Sequence, residues 1–175
     1  MDRRRLKTFC IDSNGNKISY DVLKEKVKNF SALLRNKYKI TPQKRVGIYI
    51  NDTICWPIAF LSCIYIGANP LLLYRNILKK DVIDICKTAD CDTIICEQSD
   101  TFENFIKIDE TNILSCEDQG TLMPYKFHPD EMCWWTLSSG TSGKYQLIVH
   151  RHDSFYQMYN VANEKIGITG DDIIL

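Results

Sequence analysis

The sequence predicts an α/β fold, a mainly parallel sheet flanked by helices. Two observations carry that expectation. Short apolar runs alternate with stretches of helical period through the first hundred or so residues. The segments that join those runs are too long for hairpins, which argues βαβ units, parallel pairing and right-handed crossovers. Composition agrees: 175 residues, 45% apolar and 25% charged, suit one soluble domain with a real core.

Thr8–Ile11 and Lys17–Ser19 flank Ser13-Asn14-Gly15-Asn16, and Asn-Gly is a strong hairpin signal, so residues 8–19 form a small N-terminal hairpin. Ser19 suits the N-cap of a helix through about residue 38. Leu23, Val27, Phe30, Leu33 and Leu34 share one face of it, with lysines opposite. Thr41-Pro42 ends that helix, and RVGIYI at 45–50 is a strand. Asn51-Asp52-Thr53 opens a second helix with Pro57 in its first turn, where proline is tolerated. It runs to about residue 65 and stops at Gly67. Residues 71–73 form a short strand, 78–88 a third helix and 93–96 the next strand.

Beyond that the pattern weakens. Residues 105–108 suit a strand, and 117–129, rich in turn formers, an exposed connection. Residues 132–137 and 147–149 are apolar strands. Residues 153–165 have helical period, with Phe155, Met158, Tyr159 and Ala162 on one face. Gly170-Asp171-Asp172 then leads into Ile173-Ile174-Leu175, a strand by pattern.

Charge excludes little and favours nothing exotic. Basic and acidic residues balance at 22 each, so there is no general pull toward nucleic acid or anionic membrane. Residues 53–74 carry no charge, about the length that a bilayer needs. Pro57, Gly67, Asn69 and Pro70 interrupt the run, so it reads as buried helix, turn and buried strand rather than a membrane span. The eight cysteines show no Cys-x-x-Cys and no His pair at zinc spacing. They sit in or beside apolar runs and read as buried free thiols, which, with no signal peptide, points to a reducing, cytoplasmic setting.

The chemistry concentrates at 136–152, TLSSGTSGKYQLIVHRH, and more narrowly in a strand, loop, strand unit at 132–152. Ser138, Ser139, Gly140, Thr141, Ser142, Gly143 and Lys144 combine two glycines, four hydroxyls and a cation. Glycines let a loop turn several N–H groups inward as an anion cradle. The candidate ligand is a polyphosphate. The bland alternative is an ordinary Ser/Gly hairpin loop. It is not a Walker A loop, since two residues rather than four separate Gly140 from Gly143-Lys144. His150 and His152 would share one face if the strand ran on to 152, but no further zinc ligand is indicated. Trp134 and Trp135 read as strand aromatics, with ring stacking as the alternative.

Ser139-Gly140-Thr141-Ser142-Gly143 and Ile148-Val149-His150-Arg151-His152 resemble the two ends of the signature loop of the adenylate-forming superfamily: acyl- and aryl-CoA synthetases, adenylation domains and luciferases. That signature reads roughly Ser-Gly-Thr-Thr-Gly-x-Pro-Lys-Gly, an apolar pair, then His or Thr-His. Its middle departs here, with Tyr145, Gln146 and Leu147 where Pro, Lys and Gly are usual. Tyr20-Asp21-Val22-Leu23, Gln43-Lys44-Arg45-Val46 and Gly67-Ala68-Asn69-Pro70 are similar to further family phrases in the same order. The tail is most like benzoate and other aryl-CoA ligases.

The resemblance implies that 138–144 hold the β- and γ-phosphates of ATP, with Mg2+ and CoA as the family's other requirements. It implies a single partial domain over 1–175, the N-terminal part of a longer enzyme, with adenine, ribose and acyl pockets and the catalytic Lys downstream. Two functions stay open: the N-terminal portion of a ligase, or a catalytically silent remnant acting as a binding or assembly module. The expected partner is a second copy, as a homodimer or larger assembly through uncovered apolar strands, or else the missing downstream part.

Overall fold

Eight strands and five helices form among the described residues, which in this computed structural model are 7–117, 120, 122–139 and 145–167. β1 (Thr8–Ile11) and β2 (Lys17–Ser19) pair antiparallel. Asp12 makes the turn as much as Asn-Gly does. Its carboxylate accepts from the N–H groups of Asn14 and Asn16 and from Asn16 Nδ2 at 2.9–3.0 Å.

α1 (Tyr20–Asn36) begins at Ser19, whose Oγ accepts from the Val22 N–H. Leu23, Val27, Phe30 and Leu34 bury its inner face against α2 (Cys55–Tyr65). Two buried serines bond the helices to each other. Ser31 Oγ donates to Ser62 O at 3.2 Å, and Ser62 Oγ donates to Val27 O at 3.1 Å. α2 begins later than the sequence suggests: residues 51–54 form a turn in which Thr53 Oγ1 accepts from the Cys55 N–H at 3.2 Å.

The remaining six strands are β3 (Arg45–Tyr49), β4 (Asn69–Leu72), β5 (Thr93–Cys96), β6 (Ile106–Asp109), β7 (Met132–Ser139) and β8 (Tyr145–Arg151). They form one sheet in the order β6-β5-β3-β4-β7-β8. Every neighbouring pair is parallel except β7–β8, which is antiparallel. The fold is therefore the α/β arrangement expected, a mainly parallel sheet flanked by helices. α3 (Lys79–Thr88) follows β4, α4 (Thr111–Ser115) follows β6, and α5 (His152–Ile166) follows β8. α4 is absent from the sequence expectation because five residues are too few to show a period.

Two cores result, as parallel strands covered on both faces require. Phe30, Leu34, Val46, Ile48, Ile58 and Ile95 belong to the α1/α2 core. Leu71, Val82, Cys86, Ile94 and Cys96 belong to the α3 core. The uncharged run 53–74 is mostly α2 and β4, and no helix among the described residues is long and apolar enough to cross a membrane. All eight cysteines are free and all but Cys10 are buried. Burial pushes the Cys96 thiol up to about 11 and the Cys133 thiol up to about 12.

The described residues of the connection before β7 form no helix or strand but are strapped down. Tyr125 donates its N–H to Tyr65 O at 2.8 Å, and Tyr65 OH donates to Leu122 O at 2.8 Å. The expected strand at 173–175 lies outside the described residues.

Candidate functional site

β7 and β8 carry the candidate site because they flank the Gly-hydroxyl-Lys stretch. Their register is regular from Trp134↔His150 to Ser139↔Tyr145. Side chains alternate along a strand and directly paired residues share a face. Trp134, Thr136 and Ser138 of β7 therefore line one face with His150, Ile148 and Gln146 of β8. Ser138 is half-buried and stands opposite the exposed Gln146. Ser139 is the last residue of β7 and pairs with Tyr145. Gly140, Thr141, Ser142, Gly143 and Lys144 lie outside the described residues.

Four features of this region are not evident from the sequence. The His150 ring stacks on Trp134 with centroids 4.6 Å apart and planes 8° from parallel. Its Nε2 lies 2.9 Å from Thr136 Oγ1. Trp134 also meets Phe60 of α2 and Phe155 of α5 edge-on. On the opposite face, the Arg45 guanidinium sits 4.9 Å over the Trp135 ring. The consecutive apolar residues of β7 mark a strand but not which rings meet. The two histidines do not share a strand face: β8 ends at Arg151, and His152 begins α5 and stacks on Phe127 at 3.7 Å. Burial holds the His152 imidazole below its ordinary range, with Glu131 partly offsetting.

α5 has no buried residue, and Phe155, Tyr156, Met158 and Tyr159 are exposed. With Phe60, Leu61 and Ile64 of α2, it walls an apolar cleft of about 640 Å³.

All 175 residues match one family, described as AMP-binding enzyme. The chain belongs to the AMP-binding enzyme family. It is 26% identical over 180 residues to the 4-hydroxybenzoate–CoA/benzoate–CoA ligase of Rhodopseudomonas palustris, covering 90% of this chain and 32% of that protein. It is 24% identical over 186 residues to benzoate–CoA ligase of Thauera aromatica, covering 96% and 35%. This AMP-binding chain thus spans about a third of the length of the curated relatives it matches. Among solved structures, the N-terminal subdomain of Klebsiella oxytoca NpsA in complex with 3-hydroxybenzoyl-AMSN superposes with a TM-score of 0.76 at 19% identity, over 86% of this chain and 38% of that one. The fold is therefore that of the NpsA N-terminal subdomain, and the chain is an AMP-binding family member related to aryl-CoA ligases.

Proposed function

We propose that this chain is the phosphate-handling N-terminal portion of an ATP-dependent, AMP-forming acyl- or aryl-CoA ligase, and that it does not adenylate a carboxylate by itself. The observation that supports this most is the coincidence of family and position. In an AMP-binding chain, the β7–β8 ribbon ends at Ser138 and Ser139, and the Gly-hydroxyl-Lys stretch follows directly. A hydroxyl at Ser138 and an amide at Gln146 on one accessible face fit an anion.

ATP with Mg2+ would be the nucleotide substrate, and CoA the thiol acceptor. In the first half-reaction a carboxylate oxygen attacks the α-phosphorus and pyrophosphate leaves. In the second, the thiol attacks the acyl carbon and AMP leaves. This chain's share is to hold the departing phosphates through Ser138, Ser139, Gly140, Thr141, Ser142, Gly143 and Lys144. Lys144 is the one charged residue between 138 and 146. Gln146 offers an amide dipole where a cation would balance the charge. Fixed charges and dipoles around the transferring group usually contribute most to such catalysis, so grip without turnover is the expected outcome. The two benzoate-type relatives favour an aromatic acid, and the eight free thiols favour a reducing compartment such as the cytoplasm.

Calorimetric titration with ATP tests this. The parent chain binds weakly, Gly140→Val binds about tenfold more weakly or worse through loss of the backbone cradle, and neither supports carboxylate-dependent pyrophosphate exchange. Equal affinities remove the loop as the site, and exchange by pure protein removes the claim of inactivity.

A second reading, a stand-alone assembly module, is favoured by one specific observation. Among the described residues β8 is the last strand of the sheet, and the helix after it leaves its aromatic residues exposed.

A further inference from the structure

We propose that His150 is a positioning residue, held between Trp134 and Thr136 so that it fixes the strand ends from which the phosphate-binding stretch hangs. This rests on the proposed phosphate role of residues 138–144. β7 is bridged to β4 at Leu71↔Trp135, and among the described residues β8 is paired with β7 alone. The ribbon therefore depends on side chains to hold it toward its tip. On one face, Leu137 and Leu147 pack against the α3-side core. On the other face, a chain of contacts runs from α2 out along the ribbon to Thr136.

Phe60 of α2 meets Trp134 at 6.2 Å. Trp134 stacks on His150 at 4.6 Å. His150 Nε2 reaches diagonally across the ladder to Thr136 Oγ1 at 2.9 Å. The next pair on that face is Ser138↔Gln146. His150 thus touches two residues of the facing strand at once, Thr136 and the Trp134 that meets α2. A diagonal cross-strand bond resists sliding of β8 along β7, and a slip of one residue would send Ser138 and Gln146 to opposite faces. Ser138 is a hydroxyl assigned to the phosphates, so the orientation of the donor set depends on this contact. His150 does not touch the nucleotide and acts through Thr136 and the ladder.

Hydrogen exchange of the full chain separates positioning from general stability. Thr136→Val removes the hydroxyl at constant shape, His150→Phe keeps the ring stack without the hydrogen bond, and Thr136→Ser keeps a hydroxyl. In Thr136→Val and His150→Phe, the protected amides among residues 137–139 and 145–147 exchange about fivefold faster, the effect of one net hydrogen bond. Those of Val46 and Ile48 in β3 are unchanged, and Thr136→Ser behaves as the parent. Affinity for ATP, measured on the same proteins, falls by a similar factor. Unchanged exchange at the ribbon tip overturns the proposal. So does an equal rise in β3, which marks a merely structural role. If the parent binds no ATP, the phosphate reading falls while exchange still decides whether His150 fixes the ribbon.

Discussion

Gly67 shows how a single position ties a local signal to a distant partner. It adopts φ +77°, a left-handed conformation that costs other residues about 1 kcal/mol. Any Cβ there would lie 2.5 Å from the Tyr125 ring, well inside contact distance. Tyr125 cannot easily retreat, because its N–H is bonded to Tyr65 O and its hydroxyl to Glu131 Oε1. Gly67→Ala should therefore cost roughly 2 kcal/mol or more and lower Tm by about 4 °C or more. A melt within a degree of the parent would show that the strap yields freely. The turn at Gly67-Ala68 is legible in the sequence, but Tyr125, 58 positions away, is not. Gln43 makes the complementary point. It occupies φ +65°, a conformation that favours Gly, and three contacts hold it there. Its N–H donates to Gly67 O, its Oε1 accepts from Asn69 Nδ2, and its Nε2 donates to Glu131. Side-chain bonds offset a backbone preference that sequence alone would count against it.

Among the elements, the joint between β4 and α3 depends on charge. Asp100 is 3% exposed, and its carboxylate accepts from Arg75 at 2.6 Å and Lys79 at 2.9 Å. Arg75 also reaches Glu97 at 3.2 Å and lies 4.3 Å over the Tyr49 ring, whose hydroxyl donates to Ile77 O. The network ties the loop after β4 to the ends of β3 and β5. Burial alone would raise the Asp100 carboxyl, but the hydrogen bonds from Lys79 and Arg75 outweigh it and hold the group below the usual carboxylate range. A lowered folded pKa contributes stability above the unfolded value, about 4, and loses it as pH falls through the folded value. Asp100→Asn should therefore cost about 2 kcal/mol at pH 7. The gap to the parent should close below about pH 4, read as Tm against pH. A gap independent of pH would assign the effect to packing. None of these partners is adjacent in sequence, so the network has no linear signature. The strands it joins, by contrast, are legible from their apolar runs.

Across the whole molecule, periodicity disclosed the helices and the parallel strands because each buries a repeating face. It did not disclose that β8 runs antiparallel at the sheet edge, nor that α5 leaves its aromatic face open, since pairing direction and coverage depend on neighbours. The candidate stretch 138–144 stands out by composition, while the aromatic and histidine contacts of the β7–β8 ribbon do not. The open face has a consequence for association. Ile148 of β8 and Phe155, Tyr156 and Tyr159 of α5 are exposed, as are Tyr145 and Val149 on the other face of β8, and exposed apolar patches mark interfaces. Light scattering at micromolar concentration should give a dimer or larger species. A monodisperse monomer that binds no hydrophobic dye would sink that expectation.

The central claim is that this AMP-binding chain grips nucleotide phosphates at the end of the β7–β8 ribbon. Backbone NMR during titration with ATP and Mg2+, and in parallel with tripolyphosphate, tests it most directly. Saturable shifts of the Ser138, Ser139, Tyr145 and Gln146 amides are expected with both ligands, and their loss is expected in Gly140→Val. Shifts confined to the cleft between α2 and α5, or none at either place, would contradict it.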